Sequence, residues 1–314
     1  MRLETVVPLL SASALDALFR PRAWPKLALP LAGGVSAAVG VGYTLRPTAL
    51  ALVAAFLVGD AMLIFAANDL VDERADRLRR GCESRPSPKV LLDGVVSRRA
   101  LAVAALAGAA IVLAAGQGLA RVTGQRAPIT LAAAAVLCVA LYEFWPFRLN
   151  YRGGGELVEA LGVGLVLPLF GAASLGGGAP RALAMVLPAL VGVSLAGALA
   201  STVSDAEADA LAGKRTFAVR FGAGATARAA ALTVTFASLA AFAVSLFGRP
   251  SAAALAIALG ATAGAVVRSA RASGDDERAW LATFKAAVRR AVLAAWSSVT
   301  IGFALDRAFA AVSA

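Results

Sequence analysis

The stretch NDLVDERADRLRR, Asn68–Arg80, comes directly after an apolar run from Leu50 to Ala67. A run of that length can cross a bilayer as a helix. The fold therefore turns on this row of acids at the mouth of a membrane span. If the helix continues, Asn68, Asp72 and Asp76 fall at i, i+4 and i+8, while Asp69, Asp72 and Asp76 are spaced three and four apart. Both spacings set the oxygens on one face. Such a row repels itself unless a cation sits between its members. Mg²⁺ suits it, because that ion takes hard oxygen ligands and is usually shared between carboxylates and a substrate phosphate.

A second pair lies in SDAEADALAGKRT, Ser204–Thr216, again after a long apolar run. Asp205 and Asp209 stand at i, i+4 on one helix face, and Lys214 and Arg215 come directly after. Two acidic clusters with basic neighbours suit a diphosphate bridged to protein through metal ions. Taken singly, either cluster reads equally well as solvated charge beside a membrane span. Their matching positions in the two halves of the chain favour a shared site.

Composition sets the solvent. Of 314 residues, 60% are hydrophobic and only 16% charged, with a mean hydropathy of +0.77. A soluble domain carries about 25% charged residues, so most of this chain is solvated by lipid. The formal net charge of +11 would suggest nucleic acid in a soluble protein, but Lys and Arg also gather in cytoplasmic loops. The membrane reading accounts for the charge, and no nucleic-acid partner is expected. The chain has no His, which removes histidine triads and histidine zinc sites. Cys82 and Cys138 are too far apart in sequence for a CxxC site.

Residues 1–26 read as an amphipathic helix in the interface, with Val6, Leu9, Leu10, Ala14, Leu18 and Phe19 near a helical period. Residues 27–314 read as one transmembrane domain. About nine apolar runs lie along it, near 27–45, 48–67, 100–119, 127–147, 156–175, 182–202, 225–247, 251–268 and 288–309. With the N-terminus inside, the cytoplasmic segments and their flanks hold 24 of the 30 lysines and arginines. That bias puts both aspartate clusters on the cytoplasmic face of an integral, multi-pass protein, most simply of a cell inner membrane. The clusters come after the second and sixth runs, four helices apart. This predicts two similar four-helix halves facing a central cavity open to the cytoplasm, with a ninth helix added.

Four further places carry chemistry or bland alternatives. YEFWPFRLNYR, Tyr142–Arg152, closes the fourth run with aromatics and two arginines. It reads either as an interfacial aromatic belt or as the wall of a pocket whose arginines meet an anion. Glu156 and Glu159 open the fifth run, where the helix dipole favours acids. Asp60, inside the second run, is costly in lipid and should face the interior, as a ligand or as a packing hydrogen-bonder. Gly274–Arg278, GDDER, reads as a solvated turn.

The pattern Asn68-Asp69-x-x-Asp72-x-x-x-Asp76 resembles the first signature of the UbiA superfamily of intramembrane prenyltransferases. Asp205-x-x-x-Asp209, continued by AGKRTFAVRFG (Ala212–Gly222), resembles its second. Arg20-Pro21 with Trp24, and Arg85-Pro86 followed by Asp93-Gly94-Val95-Val96-Ser97, are similar too. The likeness runs from about residue 20 to 222. It implies an all-α membrane fold and Mg²⁺-dependent transfer of a polyprenyl chain from its diphosphate to an aromatic acceptor, in quinone or related biosynthesis. Asp72, Asp76, Asp205 and Asp209 would hold two metal ions, with Asp69 and Asn68 completing their coordination or its hydrogen bonds. Asn68, Lys214 and Arg215 would meet the diphosphate, and Tyr142, Arg148 and Arg152 the acceptor. Asn150 stands where the family often carries lysine, so Arg148 or Arg152 would take that role. Gly153–Gly171 resembles the branch acting on dihydroxynaphthoate-type rings more than the hydroxybenzoate branch. A terpene cyclase of the same superfamily would use the same metal chemistry without an acceptor. A membrane transporter would instead use the acids as cation sites.

Overall fold

The computed structural model describes residues 20–82, 89–272 and 277–312. The interfacial helix expected over 1–26 therefore falls outside the described residues as far as position 19. So do Arg85-Pro86 and the start of the GDDER segment. The described residues form helices and no strand. In chain order they are α1 Trp24–Gly40, α2 Pro47–Val71, α3 Glu73–Cys82, α4 Arg98–Thr123, α5 Ala127–Glu143, α6 Leu149–Arg152 and α7 Gly155–Ala173. Then come α8 Arg181–Val203, α9 Ala206–Ala212, α10 Phe217–Phe221, α11 Ala223–Ser245, α12 Pro250–Arg271 and α13 Glu277–Val312. A π-helical turn, Gly162–Val166, interrupts α7.

Seven of these helices, α2, α4, α7, α8, α11, α12 and α13, are long and apolar enough to cross a membrane. The other two expected runs are helices of 17 residues each, α1 and α5. Seven apolar helices make a multi-pass integral membrane protein. Proline opens α1, α2, α5 and α12, at positions where its missing N–H costs nothing. Large apolar side chains on the outer faces stay exposed, among them Leu106, Leu232, Leu246 and Ile257. Water would not tolerate such a surface, whereas lipid does.

Two of the four buried clusters hold the largest share of the interior. One joins α1, α2, α4, α5 and the second half of α7, with Phe56 stacked on Phe170 at 3.7 Å. The other joins α8, α11, α12 and α13 around Trp296. Helix α1 crosses α7 backbone to backbone, because neither carries a side chain at the crossing. A Cβ on Gly34 would lie 1.9 Å from the Pro168 carbonyl oxygen, and one on Gly171 would lie 2.2 Å from that of Leu31. Small residues at a crossing are how membrane helices pack without a hydrophobic drive.

Two expectations shift. The helix through the first acidic row does not run on unbroken: α2 ends at Val71 and α3 starts at Glu73, with Asp72 between them at φ −90° and ψ 9°. Hydrogen bonds Asp72 N–H to Asn68 O and Asp76 N–H to Asp72 O, both 2.8 Å, still bridge the break. The fourth run stops at Glu143 rather than near 147, since Trp145 precedes a proline and that position disfavours helix.

Candidate active site

The chain builds its two acidic clusters alike. A long helix ends, one or two residues break it, and a short helix continues: α2 into α3 at Asp72, and α8 into α9 across Ser204 and Asp205. The short helices α3 and α9 pack on each other, which brings residues about 130 positions apart in sequence into one cluster.

Basic side chains tie that cluster together. Lys214 Nζ lies 2.6 Å from Asp72 Oδ2 and 3.4 Å from Asp209 Oδ1. The Arg79 guanidinium lies 3.1 Å from Asp205 Oδ2, 3.7 Å from Asp76 Oδ1 and 3.8 Å from Asp209 Oδ1. Lys89 Nζ is 2.8 Å from Asp76 and 4.0 Å from Asp69, and Arg20 pairs with Asp69 as well. Five aspartates thus face four cations. Asp69, Asp72, Asp76 and Asp209 are buried, as is Lys214, whereas Asp205 is half-buried.

Local sequence explains how each cation arrives. Gly213, at φ 83°, reverses the chain after α9 so that Lys214 N–H returns to the Asp209 carbonyl at 2.8 Å. A left-handed residue at that position is a common helix stop, and glycine adopts it without strain. Asp93 accepts the Lys89 backbone N–H at 2.8 Å and pairs with Arg80 at 2.7 Å, which fixes the loop that presents Lys89. Ser97 then caps α4 by accepting Ala100 N–H.

Charge sets the protonation of these groups. Burial alone would lower the Lys214 ammonium, but Asp72 and Asp209 more than reverse that and hold it above its ordinary value. Arg79 behaves likewise, burial opposed by Asp205, Asp76 and Asp209. Burial raises Asp209 despite Lys214 and Arg79. Tyr151, whose ring lies 5.3 Å from Lys214 Nζ, is pushed up to about 12 by burial and then by Asp72.

Among the described residues, no three acidic side chains already converge on one point as a closed metal cage. The donor set nonetheless fits hard divalent cations. Asp72 Oδ1 and Asp209 Oδ1 are buried without a hydrogen-bond donor, Asp209 Oδ1 having only the ion-pair contacts of Lys214 and Arg79, and a divalent cation would satisfy both oxygens. The carboxylates that surround Lys214 and Arg79 are those a metal would recruit.

A cavity of about 260 Å³ opens beside the first cluster. Asp60, Ile64 and Asn68 line it from α2, so the i, i+4, i+8 row of the first motif extends upward into the membrane. Cys138, Tyr142 and Glu143 face them from α5. Asn68 Nδ2 donates to Asp72 at 3.2 Å and to Glu143 at 3.3 Å, linking cavity to cluster. A second cavity, about 730 Å³, lies between α1, α8 and α13. Ala23, Lys26 and Val163 line both, so the two adjoin.

The sequence-predicted site residues divide accordingly. Asn68, Asp69, Asp72, Asp76, Asp205, Asp209 and Lys214 meet in one place. The Arg215 side chain is exposed, while its backbone N–H donates to the Tyr151 carbonyl at 3.0 Å. Tyr142 lines the cavity, but Arg148 and Arg152 do not. Arg148 lies over the Tyr151 ring at 3.6 Å, and Arg152 is exposed. Phe144, Trp145 and Phe147 face outward, as an interfacial belt would. Glu156 accepts the Phe217 N–H at 2.6 Å and Glu159 pairs with Lys26. Sequence reasoning passed over Arg79, Lys89 and Glu143. Arg79 could have been found from its i+3 spacing to Asp76, and Glu143 as an acid inside an apolar run; Lys89 carried no signal of its own.

Comparison with known proteins bears on the family and the fold. The model of the UbiA prenyltransferase family matches residues 27–288. No curated protein matches the sequence. Among solved structures, the chain is similar to a UbiA homologue from Archaeoglobus fulgidus bound to GPP and Mg²⁺, at 20% identity and a TM-score of 0.68, covering 90% of this chain and 98% of that one. The apo structure of a UbiA homologue from Aeropyrum pernix K1 is similar at 20% identity and a TM-score of 0.64, covering 88% and 96%. A structure described for digeranylgeranylglyceryl phosphate synthase in membranes matches at 13% identity and a TM-score of 0.64, covering 96% and 100%.

Proposed function

The chain belongs to the UbiA prenyltransferase family, and we propose that it transfers a polyprenyl group from an allylic diphosphate to an aromatic acceptor, with Mg²⁺ as cofactor. The acceptor is a ring of the dihydroxynaphthoate or hydroxybenzoate type, and the product belongs to quinone or related biosynthesis. One observation carries the reading: Arg79 and Lys214 each touch carboxylates of both motifs, so the two motifs serve one site.

Asp69, Asp72, Asp76, Asp205 and Asp209 are the residues that would hold Mg²⁺. When bound, the ion neutralises the diphosphate as it leaves. Lys214 and Arg79 remain as fixed positive charges toward the same oxygens, preorganised by their carboxylate partners. Asn68 positions Asp72 through its 3.2 Å hydrogen bond. The allylic carbon released from the diphosphate then bonds to a ring carbon of the acceptor, and that carbon loses its proton. Water must be kept from the allylic cation, and the walls of Ile64, Val139 and Leu167 do so around the smaller cavity. The larger cavity has an apolar wall of Val163, Ala200, Val292 and Leu293 for the isoprenoid tail, beside the basic side chains Arg22, Lys285, Arg289 and Arg290 that also line it. Its rim reaches the second motif, since Lys285 donates to Ser204 Oγ at 2.7 Å, next to Asp205. We place the site on the cytoplasmic side of the cell inner membrane, from the distribution of basic residues.

The test is to incubate membranes containing the protein with labelled prenyl diphosphate, Mg²⁺ and a panel of aromatic acceptors, and to identify products by mass spectrometry. A prenylated ring is expected. A cyclised hydrocarbon formed without acceptor would move the chain to the cyclase reading.

A further inference from the structure

The larger cavity, between α1, α8 and α13, has a basic mouth and two open donors inside. Arg22, Lys26, Lys285, Arg289 and Arg290 line it, and no acid does. Lys26 pairs with Glu159 and Lys285 donates to Ser204. Arg22, Arg289 and Arg290 have no carboxylate partner among the described residues. Ser194 on α8 and Trp296 on α13 line the same cavity and are 6% and 1% exposed. Neither the Ser194 hydroxyl nor the Trp296 indole N–H has a hydrogen-bond partner among the described residues. Ser201, on the same helix, returns its hydroxyl to the Ala198 carbonyl at 2.6 Å, as a helical serine commonly does. Buried donors left open in this way call for a ligand that accepts.

The two donors share a level. Lys285 meets Ser204 at 2.7 Å, and a Cβ on Gly197 would lie 3.3 Å from the Val292 side chain. Gly197 is seven residues before Ser204 and Val292 seven after Lys285, so α8 and α13 run antiparallel in step. Continuing that register sets Ser194 opposite the turn that carries Trp296. Trp296 is in turn seven residues from Arg289, so both donors lie about 10 Å deeper than the arginines.

We propose that this cavity holds an anionic diacyl phospholipid while no prenyl chain fills it, its phosphate on Arg22, Arg289 and Arg290 and its ester carbonyls on Ser194 and Trp296. Basic pockets between membrane helices on the cytoplasmic side are where anionic headgroups bind. The donor pair singles out an acyl lipid, because carbonyl oxygens accept hydrogen bonds, whereas an isoprenoid tail has no oxygen and leaves both donors open. A free phosphate would satisfy the arginines alone. The depth agrees as well: headgroup and interface add about 5–8 Å to each leaflet, and arginine side chains reaching inward to the phosphate close the remainder.

The test is native mass spectrometry of the purified full-length protein, incubated in detergent with equal amounts of three lipids of one chain length. These are a diacyl phosphatidylglycerol, a diacyl phosphatidylcholine and a dialkyl-ether phosphatidylglycerol. Wild-type protein should retain one diacyl phosphatidylglycerol at about tenfold over either competitor, the worth of a charge-assisted contact or of a pair of buried hydrogen bonds. Arg289→Gln with Arg290→Gln should erase the preference for the anionic head and keep that for the ester. Ser194→Ala with Trp296→Phe should do the reverse. Trp296 packs in the core, so Ser194→Ala alone, which removes one oxygen, guards against misfolding and should lower the ester preference about threefold. Equal retention of phosphatidylcholine, indifference between ester and ether, or release by millimolar inorganic phosphate would overturn the site. Retention unchanged in both double variants would place the lipid on the outer surface and overturn it too. Lipid binding is read without turnover, so a failure of ring prenylation would leave these results untouched.

Discussion

Lys214 is the residue on which the two motifs can be tested together without measuring turnover. Its ammonium is buried against Asp72 at 2.6 Å and Asp209 at 3.4 Å. Replacing it by methionine keeps most of the volume and removes the charge. Removing one partner of a buried pair costs about 3–5 kcal/mol, because the other charge is left uncompensated. Arg79 still stands 3.8 Å from Asp209, so the lower end applies, about 3 kcal/mol. For a chain of this size each kcal/mol moves Tm by about 2 °C, so Lys214→Met should unfold about 6 °C below wild type in chelator. Added Mg²⁺ binds the folded form and returns positive charge to the same carboxylates. In millimolar Mg²⁺ the deficit should shrink to half or less. The assay is intrinsic-fluorescence melting in detergent, with both proteins at one scan rate because membrane proteins unfold irreversibly. Equal melting temperatures in chelator would refute the claim that Lys214 neutralises Asp72. A deficit that Mg²⁺ leaves unchanged would refute those aspartates as its ligands.

Asp72→Ala and Asp209→Ala should each lower prenyl transfer by at least about a hundredfold while the protein still elutes as a folded species; transfer at wild-type rate by either would sink the shared-site reading. At the α1–α7 crossing, Gly171→Ala should abolish recovery of folded protein, since its Cβ has no room. Gly260→Ala, where a Cβ meets nothing within 4 Å, should be neutral or stabilise α12 by up to about 1 kcal/mol; similar yields for the two would contradict the packing described. The Lys214 contribution to stability should also have a definite pH profile. Its folded value is raised above 10.5, so the contribution is whole below that pH and fades as pH climbs past the folded value; a wild-type minus Lys214→Met difference that disappears by pH 8 would contradict it. For orientation, a Cys138→Ser background should label at Cys82 from the cytoplasm only, and at Thr123→Cys from the opposite side only; labelling of both from one side would refute the assigned sidedness.

The range of each interaction decides whether the sequence discloses it. The row Asn68, Asp72, Asp76 is written in the chain at helical spacing, and so is the Asp205–Asp209 pair. Lys214 is two residues beyond a helix that a glycine ends. Each of these is settled within about two turns, where local geometry leaves little choice. Arg79 and Lys89 were hidden for the opposite reason. Basic residues after a membrane span are already explained by the inside-positive bias, so the i, i+3 spacing of Asp76 and Arg79 was easily read past and nothing local marks Lys89 as a counter-ion. Only the docking of α3 against α9 adds Asp205 and Asp209 to the Asp76 that Arg79 meets within its own helix, and only the Asp93 turn aims Lys89 at Asp76. The cluster YEFWPFRLNYR shows the same divide within one segment. Its residues look alike in sequence, yet Tyr142 is the last cavity-facing turn of α5 and Phe144 the first residue beyond it. One helix end therefore sends Tyr142 inward and leaves Trp145 exposed. It also parks Arg148 over Tyr151 rather than in the cavity. Asp60, an acid inside a span, was a hint because lipid makes it costly to place, whereas Glu143 at the end of α5 passed as one more residue of the aromatic segment. Their meaning still required the second wall. An acid on α2 is only an expense until α5 brings another to the same cavity.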